Sequence, residues 1–161
     1  MGPLVVTGIF YLAVAILCIA TPQAGRIFTA IFFWIMALGV HGYFILANPQ
    51  SYVDFAHDAY LGFYRDVASP IVEFSPRGFG LLCLAFELAV GALILSKGRL
   101  VKIGLIAGIV FLLGITPLKY TQVNPVLAAG MVYLLTKDFA ASAIDVMRGS
   151  ERLHHTPHVP A

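Results

Sequence analysis

The sequence predicts an all-α fold: a polytopic membrane bundle of four to five transmembrane helices with an amphipathic helix at the interface. Of the 161 residues, 60% are hydrophobic and 11% charged, where a soluble domain carries about 25% charged residues. Mean hydropathy is +0.89, and a soluble protein of that composition would expose large apolar patches. The apolar residues come in long runs split by short Pro-, Gly- and Lys/Arg-containing connections, as expected of helices sized to a bilayer core of about 30 Å. The lipid bilayer is therefore the first partner implied. A net charge of +2 with no basic run argues against nucleic acid.

The elements follow in order. Leu4–Ala20 is the first span. It could pass for a signal peptide, but no Lys or Arg precedes the apolar run and further spans follow. TPQAGR, residues 21–26, is read as a connection to a second span at 27–46, which holds the single tryptophan, Trp34. Ser75 and Pro76 form an N-cap and first-turn pair that opens a third span at about 76–96, which Gly98 can close. The apolar stretch from Val101 to Leu135 is too long for one span and is interrupted by TPLKYTQVNP, residues 116–125. It divides into a fourth helix near 102–117 and a fifth near 125–139. Residues 1–147 form one bundle domain, and the polar tail 148–161 is read as disordered.

Between the second and third spans lies SYVDFAHDAYLGFYRDVASP. Ser51 and Asp54 stand at capping-box-like spacing, and Tyr52, Phe55, Ala56, Ala59, Tyr60, Phe63 and Val67 recur at helical spacing. The expectation is one tyrosine-rich interfacial helix over 51–68, packed as a flap on the outer end of the bundle.

Charge sets the orientation. With five spans, Arg26, Lys97, Arg99, Lys102, Lys137, Arg148 and Arg152 share one side, seven of the ten basic residues. A four-span arrangement divides them four against six. The positive-inside rule then favours a cell-membrane protein with its N-terminus outside and its C-terminus cytoplasmic.

Glu87 is the first candidate site residue. It stands in LAFELAVGALIL, about 12 to 16 Å along the third span from its outer end. A carboxylate at that depth costs a few kcal/mol, so it should face the interior and meet a partner or be held neutral. It is read either as a ligand or proton site or as hydrogen-bonding glue between helices. His41, in LGVHGYF, is the second candidate, able to form a titratable couple with Glu87 or to rest as an interfacial histidine on a backbone carbonyl. The third group is the polar break, with Lys119, Tyr120, Gln122 and Asn124, since broken helices flanked by polar side chains point to binding sites in membrane proteins. The alternative is a plain turn whose lysine snorkels to water. His57, on the polar side of the flap, completes the candidate ligand-binding set, all of it assigned to one face.

No metal site is expected. One His and one Glu do not close a zinc site, and His154, His155 and His158 lie in a tail without preorganisation. Cys18 and Cys83 sit in apolar runs and read as small buried hydrophobes. Gly104 and Gly108, and likewise Ala85 and Ala89, have the spacing of close helix packing. The chain holds no P-loop, G-x-G-x-x-G, C-x-x-C or H-E-x-x-H, and thus no motif for a resident cofactor.

The stretch FGLLCLAFELAVGALILSKGRLVKIGLIAGIVFLL, residues 79–113, resembles the small DoxX/MauE-type membrane proteins, with Glu87, Gly91, Gly98, Arg99 and Gly104 matching an acid, a Gly-rich apolar run, a short basic turn and a further helix. The resemblance implies a compact helical bundle and, for some members, a role beside quinone-linked or thiol-redox systems. The 50–78 insertion and the Pro-broken last segment depart from that pattern.

Three functions are compatible with these readings. The favoured one is an accessory or ligand-binding subunit, not an enzyme by itself, with an outward pocket around Glu87 and His41. It would hold a small apolar or quinone-like molecule or dock a membrane or redox partner subunit. The second is an oxidoreductase component in which Glu87 and His41 transfer protons. The third is a small-solute transporter, which at this length requires a homo-oligomer.

Overall fold

The structure, a computed structural model, describes residues 3–118, 121–147 and 149. Among these the fold is all-α, with no strand. Helix α1 is Pro3–Ala20 and α2 is Pro22–Ile35. Only Thr21 lies between them, so the expected connection at 21–26 does not form. Pro22 takes the first helical position, where its fixed φ is preorganised and its missing N–H is no loss. Residues read as helix breakers thus start the second helix.

The chain leaves α2 through a π-helical turn, Met36–His41, and continues as α3, Gly42–Ala47. Next come α4, Gln50–His57, and α5, Gly62–Phe74. The single helix expected at 51–68 is therefore two. Helix α4 stops at Asp58, and Leu61 is extended at φ −98°, ψ 123°. The Tyr60 N–H bonds the Pro117 carbonyl at 2.9 Å instead of a helical acceptor. The apolar periodicity bridges the break because Ala59, at the break itself, is buried. Helix α5 also runs through Pro70, which forfeits one helical hydrogen bond, and ends beyond the expected boundary.

Helix α6, Pro76–Leu95, begins as the sequence implies: Ser75 Oγ accepts the Gly78 N–H at 3.1 Å. Ser75→Ala is expected to lower the unfolding free energy by about 1 kcal/mol in a denaturant titration; an unchanged midpoint would show that the cap contributes nothing. Gly98 turns the chain at φ +60°, a conformation few other residues adopt, and donates its N–H to Phe139 O at 2.7 Å. Helix α7 is Arg99–Ile115, α8 is Asn124–Leu135, and a short α9 spans Ala143–Met147. Helix α7 thus starts and ends earlier than 102–117. Helix α8 stops short of 139 because residues 138–140 leave the helix and run beside Gly98. The tail expected to be disordered falls almost wholly outside the described residues.

The long helices close a ring in which α1 packs on α2, α2 on α6, α6 on α7, α7 on α8, and α8 on α1. Phe33, Ile94, Leu105, Leu127 and Met131 fill its centre. Gly104 lies against Leu93 and Ile94 of α6, while Gly108 faces Met131 of α8 and Phe33 of α2. Ala85 and Ala89 are exposed, contrary to their expected packing role. The small residues of α6 that meet neighbours are Gly80, beneath Tyr52, and Gly91, beneath the Trp34 indole.

Pro22–Ala47 and Pro76–Leu95 are long and apolar enough to cross a membrane, and α1 and α8 are shorter apolar helices. The outer surface is strongly apolar. Ile9, Ile16, Leu38, Leu82, Ile106 and Val110 all point outward from the ring, Leu82 at 72% exposure. Arg26, at the end of the bundle holding Thr21 and Gly98, is fully buried. It donates to the carbonyls of Ser96 (3.4 Å) and Ala141 (3.2 Å) and lies over the Phe139 ring.

Candidate functional site

The opposite end of the ring carries the site. A π-helical turn fits one residue more than an α-helix would, so the face presented after it is rotated from the face before it. Ahead of the turn Phe33 points into the core; at its end His41 reaches α6. Nε2 of His41 lies 3.5 Å from Oε2 of Glu87, and Nδ1 lies 2.8 Å from the Tyr52 hydroxyl of α4. The two rings stack, 6° from parallel with centroids 5.7 Å apart. Phe44 and Phe79 meet the Tyr52 ring edge-on, and a Cβ on Gly80 would fall 2.7 Å from its hydroxyl, so only glycine admits the ring here. Burial, together with the nearness of Cys83 and Glu87, pushes the Tyr52 phenol up from its ordinary value, so it serves as a hydroxyl. The same hydroxyl donates to the His41 backbone carbonyl at 3.5 Å, and the direction of its bond with Nδ1 follows the ring's tautomer.

These groups line a cavity of about 540 Å³ beneath α4 and α5. Phe44, Phe55, Phe63, Tyr64, Phe79 and Phe111 contribute aromatic walls. Cys83 and Glu87, one turn apart on α6, form another side, and Leu118 and Thr121 close the end nearest the α7–α8 connection. The Tyr64 hydroxyl donates to the Gly114 carbonyl and fastens α5 across to α7. Glu87 is only 2% exposed, and its Oε2 has no hydrogen-bond partner within ordinary reach among the described residues.

The structure brings Glu87 and His41 together on this wall but disperses the other candidates. His57 is half exposed and pairs with Glu73 at 2.6 Å, joining α4 to α5 beside a separate polar cleft with Arg65, Asp66 and Ser69. Gln122 donates to Leu118 O at 2.7 Å, and Asn124 donates to Leu112 O at 3.2 Å. Neither lines the cavity. A helix break frees carbonyls that need donors, and these amides satisfy them rather than a ligand. Lys119 and Tyr120 lie outside the described residues. Among the described residues of the break, Leu118 and Thr121 reach the cavity, and the Thr121 hydroxyl already bonds carbonyls of Ile115 and Leu118.

Sequence reading missed Tyr52, Tyr64 and Cys83 as wall residues. Tyr52 was legible only as part of an apolar stripe, and Cys83 only as a buried thiol. The spacing of Cys83 and Glu87, one helical turn apart, was the available sign that they share a face. No known protein family, curated protein or solved structure matches this chain.

Proposed function

We propose that this chain is a multi-pass protein of the cell membrane, with its five long helical segments embedded in the bilayer, and that it binds a small, mostly apolar molecule in the cavity beside Glu87 and His41. It acts as a binding or accessory subunit. One observation carries the binding reading: a carboxylate 2% exposed, with an oxygen left unbonded, on the wall of an otherwise apolar and aromatic cavity. An ionisable group so placed is costly to keep and is a functional hypothesis by default. The apolar outer surface and the two helices of spanning length support the membrane reading. By its resemblance to DoxX/MauE-type proteins over residues 79–113, the subunit would work beside a quinone-linked or thiol-redox partner.

Arg26, Lys97, Arg99, Lys102 and Lys137 cluster at the end away from the cavity, which favours that end as cytoplasmic. In intact cells, a membrane-impermeant maleimide should label Tyr60→Cys, at the cavity end, and should reach Asp138→Cys only after permeabilisation. The reverse pattern would invert the topology, and labelling of both in intact cells would remove it.

Gly114 tests the pocket. A Cβ there meets nothing closer than the Tyr64 hydroxyl at 4.0 Å, so a larger side chain grows into the cavity. Gly114→Leu should keep the unfolding midpoint or raise it, since glycine costs a helix about 1 kcal/mol. It should weaken binding of dibenzyl ether, a neutral apolar probe, at least about tenfold by filling the site. Binding that survives in a folded Gly114→Leu protein would place the ligand elsewhere.

A further inference from the structure

We infer that the cavity selects organic cations: hydrophobic amines whose protonated nitrogen rests against Glu87. This rests on the binding reading above and narrows its ligand class.

The unbonded oxygen is the starting point. Glu87 Oε2 is buried with no hydrogen-bond partner among the described residues, and His41 Nε2, 3.5 Å away, is beyond the usual N–H···O length of about 2.7–3.2 Å. The other ring nitrogen of His41, Nδ1, is already engaged by the Tyr52 hydroxyl at 2.8 Å. Among the described residues, the oxygen therefore lacks both a donor within ordinary reach and the charge of a lysine or arginine beside it.

The walls say which ligands could supply them. Among the described residues no lysine or arginine lines the cavity, so a fatty acid or phosphate ester would meet a carboxylate and find no countercharge there. A neutral alcohol would satisfy one lone pair and leave the charge uncompensated in an apolar surrounding. A hydrated metal cation would find one carboxylate where hard cations take six or more oxygens. An ammonium supplies donor and charge together, and its apolar substituents meet the rings of Phe44, Phe55, Phe63, Tyr64, Phe79 and Phe111. Aromatic faces carry negative potential and attract cations within about 6 Å. At about 540 Å³ the space falls among small-molecule sites and holds an amine with two or more bulky groups.

The test uses two probes of the same shape, dibenzylamine, a cation at neutral pH, and dibenzyl ether, its neutral counterpart. Binding is measured by calorimetry on the full chain in lipid nanodiscs, with empty nanodiscs as reference. The amine should bind at least about tenfold more tightly than the ether, as a charge-assisted bond to a buried carboxylate requires. In Glu87→Gln the two should come within about twofold, with ether affinity unchanged. If Glu87→Gln does not fold, Phe44→Leu and Phe111→Leu provide the second arm. They keep most of the apolar volume but remove ring faces, so they should cut amine affinity several-fold more than ether affinity. Equal binding of both probes to the unaltered chain, or an amine preference that survives every variant, would overturn cation selection while leaving the apolar pocket standing. If neither probe binds, the pocket reading falls with it.

Discussion

Gly25→Val is expected to lower the unfolding free energy by about 3 kcal/mol or more, enough to deplete the folded protein. A Cβ on Gly25 would lie 2.4 Å from Cys18 Cα and 2.7 Å from Cys18 N, both backbone atoms of α1. A flexible side chain could swing away; a helix backbone cannot. Helices α1 and α2 are joined by Thr21 alone, so they can separate only by opening the whole hairpin. That movement would draw the adjacent Arg26 from the carbonyls of Ser96 and Ala141, which tie this hairpin to the end of α6 and to the segment leading into α9. Gly8→Ala is the control. Its Cβ would meet only a Val123 methyl at 3.5 Å, an ordinary contact, and alanine favours the helix. Titration with SDS in mixed micelles should therefore separate the two glycines clearly. A Gly25→Val protein with an unchanged midpoint would show that the hairpin is looser than its geometry.

The same stretch shows what a sequence can and cannot reveal. Helix existence was legible because 20-residue apolar runs have one stable backbone solution, and the caps at Ser75 and Gly98 are local chemistry. TPQAGR was misread because Pro and Gly both end and begin helices. Which they do here depends on Gly25 meeting Cys18, a contact between two elements. The break at residues 58–61 was hidden for a related reason. Its tertiary partner, the Pro117 carbonyl, lies far along the chain, while Ala59 is buried and keeps the stripe intact. The π-helical turn leaves no mark in composition at all. At the site, Glu87 and His41 stood out as polar letters in apolar runs. Gln122 and Asn124 stood out equally, yet they serve the exposed carbonyls of a helix break. A polar side chain in an apolar segment announces a need for a partner, and only packing says whether the backbone supplies it.

Glu87→Gln is expected to raise stability while removing the ligand preference, by about 1 to 2 kcal/mol in the unliganded protein. Two terms compete at this position. Keeping a carboxylate out of water costs several kcal/mol, and good pairing can offset it. Here the pairing is a single long approach from His41 at 3.5 Å, with Oε2 otherwise unbonded. The cost wins, and an isosteric amide removes it. His41→Ala should act in the opposite direction. It strips the Tyr52 hydroxyl of its Nδ1 partner and leaves Glu87 without the approach of Nε2, for a loss of about 2 kcal/mol. The pair should also couple: in the Glu87→Gln background, His41→Ala should cost about 1 kcal/mol less, because no charge is then left stranded. All four proteins can be compared by unfolding in one lipid–detergent mixture. If Glu87→Gln loses as much as His41→Ala and the cycle shows no coupling, the carboxylate is a strut between α6 and the π-helical turn, and a site need not be invoked. If the neutral variant gains stability, the native acid is kept against the interest of the fold, and its reason lies in what enters the cavity.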